Sequence, residues 1–319
     1  MPNFDVTIAG ELNLDLVLYG LPAQLQPERE AIASEMMVTL GSSSAIVAHN
    51  LAVLGARVGF ISRIGEDSMG QSALDRLAAA SVDVSRVIRS SDGTATGLTV
   101  ILQHGTWRNM LTYLGTISKL DFEDLDFEYL ASARHFHLSS FYLQSALQPR
   151  VAELFRKLKQ AGLTISMDTN DDPDDRWQGG LSDALAYVDV FLPNAREALG
   201  ITGAQNVEDA IARLAETIPL VAVKMGPEGA MAQRGRERFK SSPIRVNAVD
   251  TVGAGDSFDA GFISQYIRGA DIETCLAYGN LAGALSTTRP GGTEAFRDRR
   301  HQEQFFRENG FLPASTPLT

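Results

Sequence analysis

The sequence predicts a three-layer α/β sandwich with a mainly parallel central sheet and a small β-sheet lid. Two observations carry that expectation. From Ala133 onward, apolar strand-like runs alternate with helical ones between short Gly and Pro turns, the pattern of a parallel sheet covered by helices on both faces. Two polar, β-prone stretches, about 11–40 and 93–116, interrupt this rhythm and read as a sheet inserted into a single domain spanning 1–319.

Each element follows from its local pattern. "FDVTIAG" is a β-branched strand ending on Gly10. In "ELNLDLVLYG", Leu12, Leu14, Leu16 and Leu18 share one face and Asn13 and Asp15 the other, the period of a strand. "SAIVAHNLAVLGA" reads as a buried helix closed by Gly55, and "RVGFISRIG" as the strand after it. "DSMGQSALDRLAAAS" is a capped amphipathic helix, whereas "GLTVILQHGTWRNMLTYLG" has little helical periodicity. The alternation then runs "ARHFHLS", "LQPRVAELFRKLKQAG", "LTISMD", "VDVFLPN", "NVEDAIARLAET" and "PLVAVKMG", with "GAMAQRGRERFKSS" as a late hairpin. From Phe296 the chain is polar and less periodic, either a last helix or partly disordered.

Composition narrows the function classes. The chain has 319 residues, 44% of them hydrophobic and 21% charged, an ordinary globular balance. A formal charge of -11 without any lysine or arginine block argues against nucleic acid or an anionic membrane as the main partner. No apolar run approaches the roughly 20 residues of a membrane span. The start "MPNFDVTIAG" lacks the features of a secretory signal. Cys275 is the single cysteine, which excludes an intrachain disulfide and a cysteine zinc site. A cytoplasmic protein of enzyme size is expected.

The chemistry concentrates in "DTVGAGDSFDAGFISQYI". Glycines let the backbone take positive φ and approach a ligand closely. The helix that follows offers unpaired N–H groups and a dipole that favour an anion. Gly253, Ala254 and Gly255 therefore form a candidate anion nest, with Asp256 placed as a base beside it. The same residues also suit a plain helix start, with Asp256 as N-cap and Asp259 completing a capping box. The dinucleotide fingerprint G-x-G-x-x-G fails because Phe258 holds its third glycine's place, and no Walker loop exists in the chain.

"DTVGAGDSFDAGF" closely resembles the C-terminal signature D-T-x-G-A-G-D of the ribokinase-like (PfkB) carbohydrate kinases. The likeness extends from Gly10 to about Gly292. "GELNLDLVL" is similar to the family's first sugar-binding strand, and "GSSSAIVAHNLAVLG" to its G-G-x-x-x-N-x-A-x-x-L-A-x-L-G motif. "RIGEDSMGQSALDRLAAASVDVSRV" is similar to its G-x-D-x-x-G segment. "VDVFLPNAREA", "VAVKMGPEG" and "YGNLAGALSTTRPGG" resemble its N-x-x-E, nucleotide-loop and closing segments.

The resemblance implies ATP-dependent phosphorylation of a sugar-like hydroxyl, with Asp256 as general base and the Gly253–Gly255 amides as anion hole. It implies that Asn194 and Glu197 hold Mg2+ through water. By the same match Lys224, Gly226, Gly229 and Gly255 line the nucleotide and Asn280 lies beside the adenine. Asp250, with carbonyls near Val252, Ser286, Arg289 and Gly291, matches where relatives bind K+; bracing of the loop by Asp250 is the equal alternative. Asn13, Asp15, Gly41 and Ser42 match the acceptor side. Two positions depart from the pattern: Ser42 replaces the second glycine and Ile46 the motif asparagine, which weakens selection for a hydroxyl there. A nucleoside kinase with Ile46 facing a base, and a non-catalytic sugar or nucleotide sensor, are the alternatives. The retained Asp256, Asn194 and Glu197 argue against the sensor.

Three other features are read as structural. His135 and His137 share a strand face without a third ligand. "DTNDDPDDRW" lacks calcium-loop spacing and reads as a loop on the active-site side after Asp168. Trp107 and Tyr113 are assigned to lid packing. The leucine face of the lid is too apolar to leave wet, and a homodimer joined lid to lid is expected.

Overall fold

The computed structural model describes residues 2–104 and 107–311. Its strands in chain order are β1 (Phe4–Ala9), β2 (Leu14–Tyr19), β3 (Glu35–Leu40), β4 (Val58–Gly65), β5 (Asp83–Ser90), β6 (Leu98–His104) and β7 (Trp107–Tyr113). There follow β8 (Ala133–Leu138), β9 (Thr164–Met167), β10 (Val190–Phe191), β11 (Leu220–Lys224), β12 (Ala230–Arg234) and β13 (Glu237–Ser241). Nine strands form the main sheet in the order β13-β12-β11-β10-β9-β8-β1-β4-β5. From β5 to β11 every pairing is parallel, and the hairpin β12–β13 adds an antiparallel edge.

Strands buried on both faces read as continuous apolar runs. Every residue of β11 is buried, Lys224 included. One face of the sheet packs Ile8, Phe60 and Ala222 against the helices Ser43–Val53, Ala254–Tyr266 and Ile272–Thr287. The other packs Phe136, Ile165 and Val221 against the helices Val151–Gln160 and Val207–Leu214. Each fully buried Phe or Leu side chain contributes about 1.5–3 kcal/mol relative to exposure.

The lid is a separate four-stranded sheet, order β3-β2-β6-β7. It is mixed rather than purely antiparallel, because β2 and β6 run parallel. The expected segment 11–40 supplies only β2 and β3; residues 22–31 between them are exposed and irregular. Residues 105–106 of the second segment lie outside the described residues. The outcome for the leucine face is divided. Leu12 and Leu14 belong to the main core, while Leu16 and Leu18 are half-buried on the lid.

The polar tail resolves into a helix, Arg299–Glu308, whose Phe305 and Phe306 are buried; residues 312–319 lie outside the described residues. Strand order reverses between β1 and β8, and the carboxyl ends of the strands at such a switch point are the usual place for a ligand. The loops after β1, β8, β9, β10 and β11 all contribute to the site described next.

Candidate active site

Gly253 has φ 70° and precedes the helix Ala254–Tyr266 without any side-chain cap. A Cβ at Gly253 would lie 2.5 Å from the Gly292 backbone, so a larger residue would displace the loop. Asp256 therefore does not cap this helix, and Asp259 does not complete a capping box. The alternative of a plain capped helix start is corrected on this point. No side chain caps the first turn, and the Ala254 N–H donates to the Thr251 carbonyl at 3.4 Å.

The loop is braced from below by Asp250. Its Oδ1 accepts the Val252 N–H at 3.0 Å, and its Oδ2 accepts the Gly291 N–H at 3.0 Å and the Tyr19 hydroxyl at 3.1 Å. Bracing, one of the two roles open for Asp250, is thus realised. The Ser286 hydroxyl is buried with no protein partner among the described residues. Arg289 pairs with Asp298 at 2.6 Å.

Asp256 is buried and accepts a hydrogen bond from Asn170 Nδ2 at 3.4 Å. Burial raises its pKa, the Lys224 charge opposes this, Asp168 adds to it and a bond from Ser43 opposes it; the result is about 6. Asn170 is held with φ 52°, left-handed for a side-chain-bearing residue. Its Oδ1 accepts the Ser140 N–H at 2.8 Å, which fixes the amide so that Nδ2 faces both Asp168 and Asp256.

Behind Asp256 lies a buried charge cluster. Lys224 Nζ donates to Asp168 Oδ2 at 2.6 Å and to both Asp259 oxygens at 3.1 Å. Burial disfavours the ammonium, but Asp168, Asp259 and Glu197 together raise its pKa. Conversely, burial would raise Asp168, yet Lys224 holds it below the ordinary carboxylate range. Removing one member of such a set leaves an uncompensated buried charge. Lys224 also stands 3.6 Å from where a Gly255 Cβ would be. Oxygens of Asp168, Asp256 and Asp259 lie within 4.8 Å of one another.

Asn194 and Glu197 form a reciprocal capping box at the start of the helix Ala195–Thr202. Glu197 Oε2 accepts the Asn194 N–H at 2.8 Å, and Asn194 Oδ1 accepts the Glu197 N–H at 3.0 Å. Burial, then the Asp168 charge, pushes Glu197 up to about 8. Asn194 is joined to Lys224 by an isolated parallel bridge, which places this pair beside the charge cluster. Farther out, Gly226 opens a short turn, Gly229 packs against the Ser241 carbonyl, and Asn280 Nδ2 donates to the carbonyls of Ser241 and Ser242.

At the start of the lid Asn13 and Asp15 are both buried, with Asn13 Nδ2 donating to Asp15 Oδ1 at 3.4 Å. A Cβ at Gly41 would lie 2.0 Å from Asp15 Oδ1 and 2.8 Å from Asn13 Nδ2, so glycine is what admits both side chains. Burial, then Asp256 and Asp250, raise Asp15 to about 7. Ser42 caps the helix Ser43–Val53 through the Ala45 N–H, and Glu11 accepts from Ser44. Ile46 packs on Gly253 and Gly292, against the glycine-rich loop. One turn on, Asn50 Nδ2 donates to Ser257 Oγ and the Gly292 carbonyl, tying the same two segments together.

Asn170, Ser43 and Asn50 were not among the sequence-derived candidates. Asn170 lay in the acidic run after β9, where only the loop's placement near the site was legible. His135 and His137 are fully buried and bond to Thr164, Ser166 and Ser139 hydroxyls, and burial pushes both imidazoles down to about 3. Among the described residues no helix is long and apolar enough to cross a membrane.

Comparison with known proteins adds independent support. The sequence profile of the pfkB family of carbohydrate kinases matches residues 4–299. A 2-dehydro-3-deoxygluconokinase of Bacillus subtilis (strain 168) is 32% identical, covering 83% of this chain and 86% of its own. An ATP-dependent ribose-1-phosphate kinase of Halopiger xanaduensis is also 32% identical, covering 91% and 94%. Among solved structures, an E. coli protein assigned as a ribokinase II, in complex with ATP and Mg2+, superposes with TM-score 0.83 at 27% identity, covering 95% of this chain and 99% of that one. Family match, fold and the order of motifs agree: the chain belongs to the pfkB family of carbohydrate kinases.

Proposed function

We propose that this protein transfers the γ-phosphate of ATP to a hydroxyl of a sugar or sugar-like acceptor, with Asp256 as general base. The observation that carries the reading is the placement of Asp256. It stands in the first turn of a helix yet caps nothing, and Asn170 orients it from the side. A general base of this kind is worth typically about 10²–10⁴-fold. The acceptor hydroxyl gives its proton to Asp256 as its oxygen attacks the γ-phosphorus, and ADP leaves. The amides of Gly253, Ala254 and Gly255 meet the charge on the transferring group, where one such donor contributes about 3 kcal/mol.

Asn194 and Glu197 would hold Mg2+ through water, and their oxygens are the hard donors that ion takes. Such an ion, held there, would supply positive charge to offset that of the nucleotide's phosphates. Its approach also suits Glu197, whose charged form burial and Asp168 disfavour. Lys224, Gly226, Gly229 and Asn280 form the nucleotide side. For a K+ ion the fit is partial: Ser286 offers a free hydroxyl, but Asp250 is already satisfied by three donors. No step is assigned to it.

The acceptor lies between Asp256 and the inner face of the lid, where Asn13 and Asp15 receive its hydroxyls. With Ile46 packed on the anion loop, a nucleoside base has no isoleucine platform to face, and a sugar is favoured. The lid's outer face carries Leu16, Leu18, Val38, Val100 and Leu111 in register across its strands. Met36 is 66% exposed, Leu111 57% and Tyr113 58%. A second copy meeting this face about a two-fold axis would bury it, so the working unit is a homodimer joined lid to lid. An ATP-consumption screen across hexoses, pentoses, sugar acids and nucleosides tests the activity. Turnover confined to nucleosides would contradict the sugar reading, and consumption of ATP with none of them would contradict a kinase.

A further inference from the structure

The strand β7 places one cation over the acceptor side. Arg108 pairs with Gln103 across the lid and shares its face with Met110, Ile101 and Val17, the face that packs on the loop holding Val252. Its Nη1 donates to Thr251 Oγ1 at 2.8 Å. Thr251 lies between the brace Asp250 and the anion nest, so the guanidinium reaches the rim of the transfer site.

Arg108 forms no ion pair among the described residues, although its surroundings are rich in carboxylates. Asp15 feels its charge, which opposes those of Asp256 and Asp250. A guanidinium carries five N–H donors in a planar fork that matches carboxylate and phosphate oxygens. One of those donors is used by a threonine hydroxyl, and Thr251 is exposed. The flanking surface is open: Met110 is 57% exposed and Trp107 47%. A neutral polyol is already served by Asn13, Asp15 and Asp256, which accept from its hydroxyls. None of them can balance a negative charge, and all but Asn13 would repel one.

We infer that Arg108 receives an anionic group on the acceptor, a carboxylate or a phosphate, at the end of the molecule away from the hydroxyl that is phosphorylated. The acceptor is then an acidic sugar, and Arg108 selects it. This rests on the kinase reading above and names its substrate class. An anion at Arg108 is also separated from the Asp256 end of the site, so the acceptor is oriented as well as bound. Because the cation rides on the lid, the contact forms as the lid covers the acceptor.

The test compares acceptors in matched pairs on the wild-type enzyme. Gluconate and 2-dehydro-3-deoxygluconate are set against glucose, and ribose 1-phosphate and ribose 5-phosphate against ribose. One charged acceptor is expected to exceed its neutral counterpart in kcat/KM by at least about tenfold, and which one does distinguishes carboxylate from phosphate. In Arg108→Ala that ratio should fall at least about tenfold, chiefly through KM, with Arg108→Lys recovering part of it because point charge remains without the fork. Neutral sugars used as well as or better than both charged classes by the wild type would overturn the inference and leave the kinase reading standing. An unchanged ratio in Arg108→Ala would overturn the role of Arg108. Failure of every acceptor, charged or neutral, would overturn the kinase reading itself and this inference with it.

Discussion

Asn170 Nδ2 donates to Asp256 Oδ1 at 3.4 Å while its Oδ1 is pinned by the Ser140 N–H at 2.8 Å. The two side chains come from distant parts of the chain, one from the loop after β9 and one from the glycine-rich helix start. Ser43 bonds the same carboxylate, so Asp256 is held by two side chains. Asn170 is thereby a positioning residue for the proposed base.

Replacing Asn170 tests that role. Asn170→Gly keeps a backbone at φ 52° without strain and removes only the amide. Its kcat should fall about tenfold, at the lower edge of what a misplaced general base costs. A donor to the charged form lowers a carboxylate pKa, so its loss should move the acid limb of the rate profile upward. A profile and kcat equal to wild type would assign Asn170 to loop structure alone.

Glu197→Gln preserves the shape of the capping box and removes its charge. The magnesium concentration giving half-maximal rate should rise several-fold, with the acceptor KM little changed, because the proposed contact is to hydrated metal. A normal magnesium titration with a lost acceptor affinity would reverse the assignment.

The dimer is tested on its exposed face. Wild-type protein should scatter light as a dimer at micromolar concentration, and Leu111→Asp should scatter as a monomer, since it sets a charge in an apolar contact. Leu111 is already 57% exposed, so the variant should keep its Tm. A monomeric wild type would contradict the lid-to-lid arrangement.

Lid closure is a separate expectation. Tyr19 and Arg108 already link the lid to Asp250 and Thr251. Acceptor binding should tighten that union and exclude water from the transferring group. Cleavage by trypsin in the exposed segment around Arg29 should slow on adding acceptor. An unchanged cleavage rate would count against closure.

How much of this was legible in the sequence depends on whether a feature is local. Gly253 to Asp256 are consecutive, so the glycine-led helix start and the carboxylate in its first turn could be read directly. The apolar runs of β8, β9 and β11 announced themselves in the same way. β5 did not, because "DVSRVIRS" mixes charges into a half-buried edge strand. Asn170 meets Asp256 across 86 positions, and Lys224 meets Asp168 across 56 and Asp259 across 35. Nothing in a local pattern reports such pairings. Lys224 shows the consequence: its place at the end of β11 was legible, but its commitment to two buried carboxylates was not. The lid's leucines were read as one face, yet only the folded main domain decides that Leu12 and Leu14 are buried there.

The central claim is that Asp256 takes the proton, and Asp256→Asn measured across pH tests it most directly. Its folded pKa, about 6, lies above its ordinary 3.8 because burial disfavours the charge. A carboxylate shifted upward favours the folded state below its unfolded pKa, and that advantage is lost as pH rises through 6. At pH 7.5 the asparagine variant should therefore keep or raise Tm and still bind ATP. Wild-type kcat/KM should fall about tenfold per pH unit below 6, where the base is protonated. The variant should lose at least about 10²-fold in kcat with the best acceptor and show no such limb. Near-wild-type turnover, or an acid limb surviving the substitution, would contradict the account.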